Sequence, residues 1–558
     1  MTDTEKLISA LGGRGRFQNT VHLLAGFGGY VPLCFNHVIM AFHGSSIPHK
    51  CMAGDDINIG SNSTYSSPKV QPQVTNVSHS QCFTTVTYSD GQEKVIECTS
   101  GQWEYFPQYG ERNIVTQFDL VCSAEYLTNL ATTIYFTGVM VGGLVFGDLA
   151  DRFGRRLSML FTMYAALVIS LASAFSVNYT MFVCLRFLLG ILQQGLQNAV
   201  YTLVIELFQP QHRPYAGVVV ELFFSSSIMV LAGLAYGLRY WRHLQITVAL
   251  IPLVTVFYPW VIPESLRWLV MKGKMEKAEK QIQRICKTNK VSFPHEVWSS
   301  AKKSKGSQAV ETQQYNMTHL FRTWPLMKIT LISIYLWYKI TLISIYLWVT
   351  IASTYYGLTF KVTSLKGNPY LNFFISGLLE VTMAALCLPI MNRFGRKKPI
   401  VVGFILCSTL CLTSGFLNSY TTGLDKLVTA FGLVGKCAGS CIFIIFFVYT
   451  TELYPTVVRN VGLGLGMFWA RLGGVMAPQI NQWTSVLFGF DVIYLFGTLS
   501  LIGGLIVLPL PETHQRRLPD TIEEEITVQA EATGLMDKLE MDDTTTETLG
   551  TQQMSEKV

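Results

Sequence analysis

Three ionisable residues stand inside long apolar runs: Glu380, Lys436 and Arg471. A charge at the middle of a bilayer costs about 2.5–3.5 kcal/mol or more, so it persists where it pairs or works. All three lie in the second half of the chain, so they could meet across one cavity. As working groups, Glu380 would attract a cationic group, and Arg471 or Lys436 a carboxylate. As structural groups, they would form an internal ion pair that ties helices together. Tyr355 and Tyr356 in a nearby run add ring faces that hold a quaternary ammonium by cation–π attraction, and hydroxyls that orient a carboxylate. Tyr201, and Trp469 beside Arg471, are further ring candidates, with packing as the competing role. Arg186 reads as structural, and Glu221 as a gate or helix pair near the inner end of its run.

No constellation for bond-making accompanies these residues. His22, His37, His43 and His49 have no Cys or carboxylate at zinc spacing. No Gly-x-x-x-x-Gly-Lys-Ser/Thr loop exists, which disfavours an ATP-driven pump. The expected chemistry is selecting and holding a small organic ion, with no cofactor, no metal and no catalysis. A membrane receptor or scaffold that does not transport is the alternative from another class.

The elements that must position these groups are membrane spans. Of 558 residues, 50% are hydrophobic and 14% charged, against about 25% charged in soluble domains. A span needs about 20 apolar residues. Roughly twelve runs qualify: 17–42, 126–149, 157–176, 180–206, 215–237, 243–262, 328–359, 370–391, 399–418, 424–450, 459–485 and 489–510. They are continuous rather than alternating, so helices are expected and a large barrel is not. The first run is long, glycine-interrupted and without a strong basic flank, which reads as a retained helix rather than a cleaved signal.

Charge placement orients the chain. Segment 43–124 holds four Lys/Arg and eight Asp/Glu, whereas 264–328 holds thirteen and five. The positive-inside rule puts the first loop outside, and the second inside with both termini. Cys51, Cys82, Cys98 and Cys122 all fall in the outer loop, which implies two disulfides with three pairings open. Asn62 and Asn76 are glycosylation acceptors there. The basic inner loop suits anionic lipid rather than nucleic acid.

Seven segments follow: 1–16 inner, 17–42 first span, 43–125 outer loop, 126–263 rest of a first six-helix bundle, 264–327 inner connection, 328–511 second bundle, and 512–558 tail. The tail has twelve Asp/Glu against four Lys/Arg and cannot fold alone. Its end, Glu556-Lys557-Val558, faintly suits a PDZ groove. Lys328–Trp337 is repeated residue for residue at Lys339–Trp348. The seventh span becomes about 48 Å long, so the extra turns should project from the inner face, with Lys339 snorkelling.

The halves correspond. Gly147, Asp151, Arg152, Gly154 and Arg155 form a basic turn echoed by Arg393, Gly395 and Arg396, at an offset of 241. Glu206 with Arg213 is echoed by Glu452 with Arg459, at 246, and Pro263-Glu264-Ser265 by Pro511-Glu512-Thr513, at 248. Six spans duplicated in parallel explain this order. The turn could act as a latch: Asp151 pairing Arg155 or capping a helix, Gly154 permitting the bend. A solvated turn that only fixes topology is the plainer alternative.

These motifs resemble the major facilitator superfamily, and within it solute carrier family 22. The likeness rests on the Gly147–Arg156 turn, Gly15-Arg16-Phe17-Gln18, the cysteine-containing outer loop, Arg186-Phe187-Leu188-Leu189-Gly190, Pro263–Trp268, Glu452–Thr456 and Arg459-Asn460. Gln193-Gln194-Gly195 departs from the family pattern, and the outer loop has fewer cysteines than many members. The resemblance implies an all-α, twelve-helix fold of two bundles with a midplane site, acting in the plasma membrane as a secondary transporter. It implies a gating role for both basic turns and a cavity-lining role for Tyr355-Tyr356-Gly357-Leu358. Cation members tend to carry aspartate where Arg471 stands, and Glu380 is similar to the carnitine-type glutamate. The implied cargo is a small organic cation or zwitterion such as carnitine, with an organic anion exchanger as alternative. Na⁺ and H⁺ are the candidate coupling ions.

Overall fold

The computed structural model describes residues 3–53, 74–300, 324–421, 423–453, 459–484, 489 and 491–513, with backbone alone over 3–5, 74–75, 210, 214, 324–337 and 459–463. Ten helices among them are long and apolar enough to cross a membrane. The first is Arg16–Val38, continued by Met40–His43. Spans two to five are Tyr126–Phe153, Arg155–Ala174, Tyr179–Leu207 and Arg213–Gly237. Spans seven to ten are Trp324–Lys361, Pro369–Phe394, Lys397–Tyr420 and Asp425–Leu453. Arg459–Trp483 and the shorter Val492–Ile506 occupy the eleventh and twelfth places.

Span six, expected as one run over 243–262, is broken. It comprises Trp241–Leu250, a 3₁₀ stretch Ile251–Thr255 and a last turn Tyr258–Val261. Pro252 and Pro259 explain this, because each lacks the N–H that an α-helix needs. Span seven runs as a single 38-residue helix through both repeat copies. Its portion Tyr338–Ser364 is long and apolar enough to span. The basic stretch after span six forms Leu266–Met271 and Met275–Asn289. Asn289 reaches back to the chain start: it accepts from Phe17 N at 2.9 Å and donates to Leu11 O at 2.8 Å. The Gly15-Arg16-Phe17-Gln18 motif is thereby explained, since a side chain at position 15 would strike Asn289.

There are two large apolar cores, and the one centred on the first half extends onto Tyr355, Tyr356, Tyr370 and Phe373 of the second. One includes Tyr30, Tyr135, Leu203 and Ile228; the other includes Leu347, Phe404, Phe446 and Phe496. Helix backbones approach closely where glycines allow it: Gly138 and Gly142 of span two face the Phe187 and Ile191 backbone of span four. The halves meet through spans two with eleven and five with eight.

The large loop folds over the span tips. β1 (His49–Cys51) pairs with β5 (Trp103–Tyr105), and β2 (Val74–His79), β3 (Phe83–Tyr88) and β4 (Glu93–Glu97) form a meander. Of the three pairings open to the four cysteines, the fold adopts Cys51–Cys98 and Cys82–Cys122. Asp119 knots the loop by accepting from Ser100 Oγ, Gly101 N and Tyr105 OH at 2.7–2.9 Å. Burial, then that carboxylate, pushes the Tyr105 phenol well above its ordinary range. Asn76 is exposed on β2; Asn62 and the terminal Glu556-Lys557-Val558 lie outside the described residues.

Candidate functional site

Glu380 and Lys436 meet first. They come from the middles of spans eight and ten, are 2% and 1% exposed, and form a direct ion pair. Tyr355 OH donates to the second oxygen of Glu380 at 3.2 Å, and Lys436 Nζ donates to Ser376 Oγ at 2.6 Å. The ammonium also lies 5.6 Å from the Tyr355 ring centre. Two opposite charges so enclosed cancel, which is how such buried charge becomes tolerable.

Arg471 stands apart from that pair. Its Nη2 donates to Gln197 Oε1 of span four at 2.6 Å, so the contact crosses from one half to the other. Among the described residues its Nε has no hydrogen-bond partner, and the Tyr356 hydroxyl faces the guanidinium. The Tyr356 ring packs on Phe136 of span two at 4.6 Å. Glu221 of span five, half-buried, lies within electrostatic reach of both Arg471 and Glu380. Its charge is thus felt among the midplane groups as well as near the inner end of its span, where the sequence suggested a gate or helix pair. Gln197 also faces the Tyr30 hydroxyl of span one. Tyr201 contacts Phe447 across the halves, with ring centres 5.2 Å apart. Trp469 packs into the second core.

Sequence reasoning missed Tyr30 and Gln197. Gln197 carried a usable signal, because three glutamines in one apolar helix demand polar partners. Tyr30 carried none, since a tyrosine among apolar residues reads as packing.

Arg186 is fully buried, and its Nε and Nη2 have no hydrogen-bond partner among the described residues. It donates to Asn36 O at 3.2 Å and lies 4.2 Å from the Tyr135 ring centre.

The two basic turns build matching clusters, which among the described residues join groups of the same half. Gly154 and Gly395 have φ of 107° and 82°, which only glycine adopts without strain. Glu264 accepts from Arg155 N and Arg156 N at 2.9 and 3.1 Å, capping span three; Glu512 does the same for Arg396 N and Lys397 N. Arg155 also pairs with Asp151 at 2.7 Å and Glu206 at 3.2 Å, and Arg396 with Glu452 at 2.8 Å. The capping role considered for Asp151 therefore falls to Glu264 and Glu512. Arg152 and Arg393 are exposed and lean over Phe153 and Phe394, outside either cluster. Gly147 faces open space. Arg213 is within electrostatic reach of Tyr201. The Arg459 side chain lies outside the described residues.

The halves are sealed toward the disulfide-containing loop. Phe42 stacks on Tyr370 at 5.6 Å, Tyr236 and Tyr109 pack on the same ring, and Asn129 donates to Gln482 Oε1 at 3.5 Å.

Known proteins give this geometry its context. Residues 68–524 match the family described as "Sugar (and other) transporter". Human solute carrier family 22 member 13 is 33% identical over 430 residues, covering 76% of this chain and 74% of its own. Solute carrier family 22 member 6-A of Xenopus laevis is 31% identical over 543 residues, or 93% of each chain. Human organic cation/carnitine transporter 2 is 29% identical over 546 residues, or 95% of each. The fold matches the inward open conformation of the xylose transporter XylE from E. coli, with TM-score 0.60, 16% identity, and coverage of 91% of this chain and 98% of that one. The chain is thus a multi-pass membrane transporter rather than an enzyme, built on the twelve-helix major facilitator fold, and it belongs to solute carrier family 22.

Proposed function

We propose that the protein carries small organic cations and zwitterions, such as carnitine, across the plasma membrane by alternating access. The observation that carries this reading is Arg471. Its guanidinium is held by an amide rather than a carboxylate and, among the described residues, keeps an unpartnered Nε, with Glu221 of the other half nearby. Glu380 and Lys436 cancel one another. One acid and one base on opposite halves then remain for cargo, and that pattern suits a zwitterion. Tyr355 and Tyr356 supply ring faces and hydroxyls for the ammonium and carboxylate ends. A cargo that touches both halves couples its own binding to their relative motion.

The acidic, disulfide-containing loop is read as extracellular, with both termini cytosolic and the arrangement facing inward. Asn62 and Asn76 would carry glycans. Na⁺ or H⁺ would supply the drive, and the acidic tail a weak PDZ contact. Because Arg471 alone also suits a carboxylate, organic anion exchange is the second reading.

The test is a pair of variants in a labelled uptake assay. Arg471→Asp should abolish carnitine uptake while sparing tetraethylammonium. Glu221→Gln should weaken uptake of both by about tenfold, the effect of losing one charge-assisted contact. Unchanged carnitine uptake in Arg471→Asp would remove the assigned role.

A further inference from the structure

A cavity of about 280 Å³ lies at the loop face between the tips of the two halves. It shares no residue with the midplane charges. Its cations are Arg112 and Arg239 from the first half and Lys366 from the second, and its carboxylate is Glu111. Glu111 is already engaged, accepting from Tyr109 N at 2.7 Å. Lys366 pairs with Asp425 at 3.2 Å, but both side chains are 56% exposed, so the pair is weak. The Arg239 guanidinium donates to the carbonyls of Tyr236 and Tyr109, neither of them anionic. The cavity therefore carries an excess of positive charge, and Tyr109, Tyr370 and Trp241 are among its lining residues.

His43 is the second observation. It lines the same cavity, is 1% exposed, and among the described residues neither ring nitrogen has a hydrogen-bond partner. Buried polar groups are normally satisfied, and leaving one unsatisfied costs about 1–3 kcal/mol. A ligand polar group that entered the cavity would meet this imidazole.

We propose that this cavity binds a small aromatic carboxylate or sulfonate from the loop-face solution, and that the bound anion holds the transporter shut on that side. The anion would join Arg112 and Arg239 of one half to Lys366 of the other. Those tips must part when the loop face opens, so the ligand favours the closed arrangement. It acts as an inhibitor that does not compete with cargo. The outward-facing sense of the loop face rests on the orientation proposed above.

The probe is 5-sulfosalicylate, a rigid aromatic anion that does not cross bilayers. Added outside cells that express the full chain, it should lower the maximal rate of labelled cargo uptake and leave KM within about twofold. The double variant Arg112→Gln/Lys366→Gln alters two exposed side chains and should still transport. It should need about tenfold more probe for the same inhibition, as expected for lost charge-assisted contacts. Calorimetry on the purified, detergent-solubilised protein separates this claim from the midplane reading: binding should survive Arg471→Asp and weaken in the double variant. Purely competitive inhibition, equal potency against the double variant, or no binding to the parent protein would each overturn it.

Discussion

The Glu380–Lys436 pair makes a sharp prediction, because both partners are all but inaccessible. Lys436→Met leaves a buried carboxylate without its cation and should destabilise the protein by about 3–5 kcal/mol. The expected readout is a lower apparent Tm and a smaller folded yield. Glu380→Gln combined with Lys436→Met removes both charges and should recover most of that loss. A single variant as stable as its parent would contradict the pairing. At this scale the sequence was half legible. A charge inside an apolar run is conspicuous, so Glu380, Lys436 and Arg471 were found. An internal ion pair was one of the two roles read for them, and Glu380 with Lys436 forms it; which two would pair was not readable, since 56 residues of separation carry no distance. Glu221 was read as a gate or helix pair because it lies about 12 Å along its helix from the inner end. Helix rotation, which turns it toward Arg471, is set by packing and not by span position.

Among the elements, Glu264 and Glu512 act as paired caps on spans three and nine. Glu264→Gln or Glu512→Gln should each cost about 1–2 kcal/mol, seen as a lower apparent Tm, with the backbone N–H groups left to a weaker acceptor. The repeated Pro-Glu-Ser and Pro-Glu-Thr motifs showed that something was duplicated. The capping role appears only once the chain folds back over about 110 residues. Span seven shows why an eleven-residue duplication is tolerated. Eleven residues make about three turns, add about 16.5 Å and turn the helix face by only about 20°. Deleting residues 328–338 should therefore leave the face register and the transport activity intact; loss of uptake with normal folding would assign the first copy a role. Span six shows the converse, because its two prolines were visible but its hydropathy alone suggested an unbroken helix.

For the whole molecule, duplication was the most legible property, since three motif pairs recur at nearly one offset. What the motifs could not disclose is where the halves touch. The described ion pairs of both basic clusters join residues of one half, whereas Phe42 with Tyr370 and Asn129 with Gln482 join the halves toward the loop. A carrier must break those contacts in every cycle. Joining Asn129→Cys to Gln482→Cys by oxidation should therefore stop transport, and reduction should restore it. Full activity in the cross-linked protein would contradict a moving seal. The central claim is that one acid and one base from opposite halves select a zwitterion, and competition for uptake into liposomes containing the purified protein tests it most directly. Carnitine should compete best and itself accumulate, tetraethylammonium should compete less, and p-aminohippurate least. Accumulation of p-aminohippurate with no effect of carnitine would contradict the account.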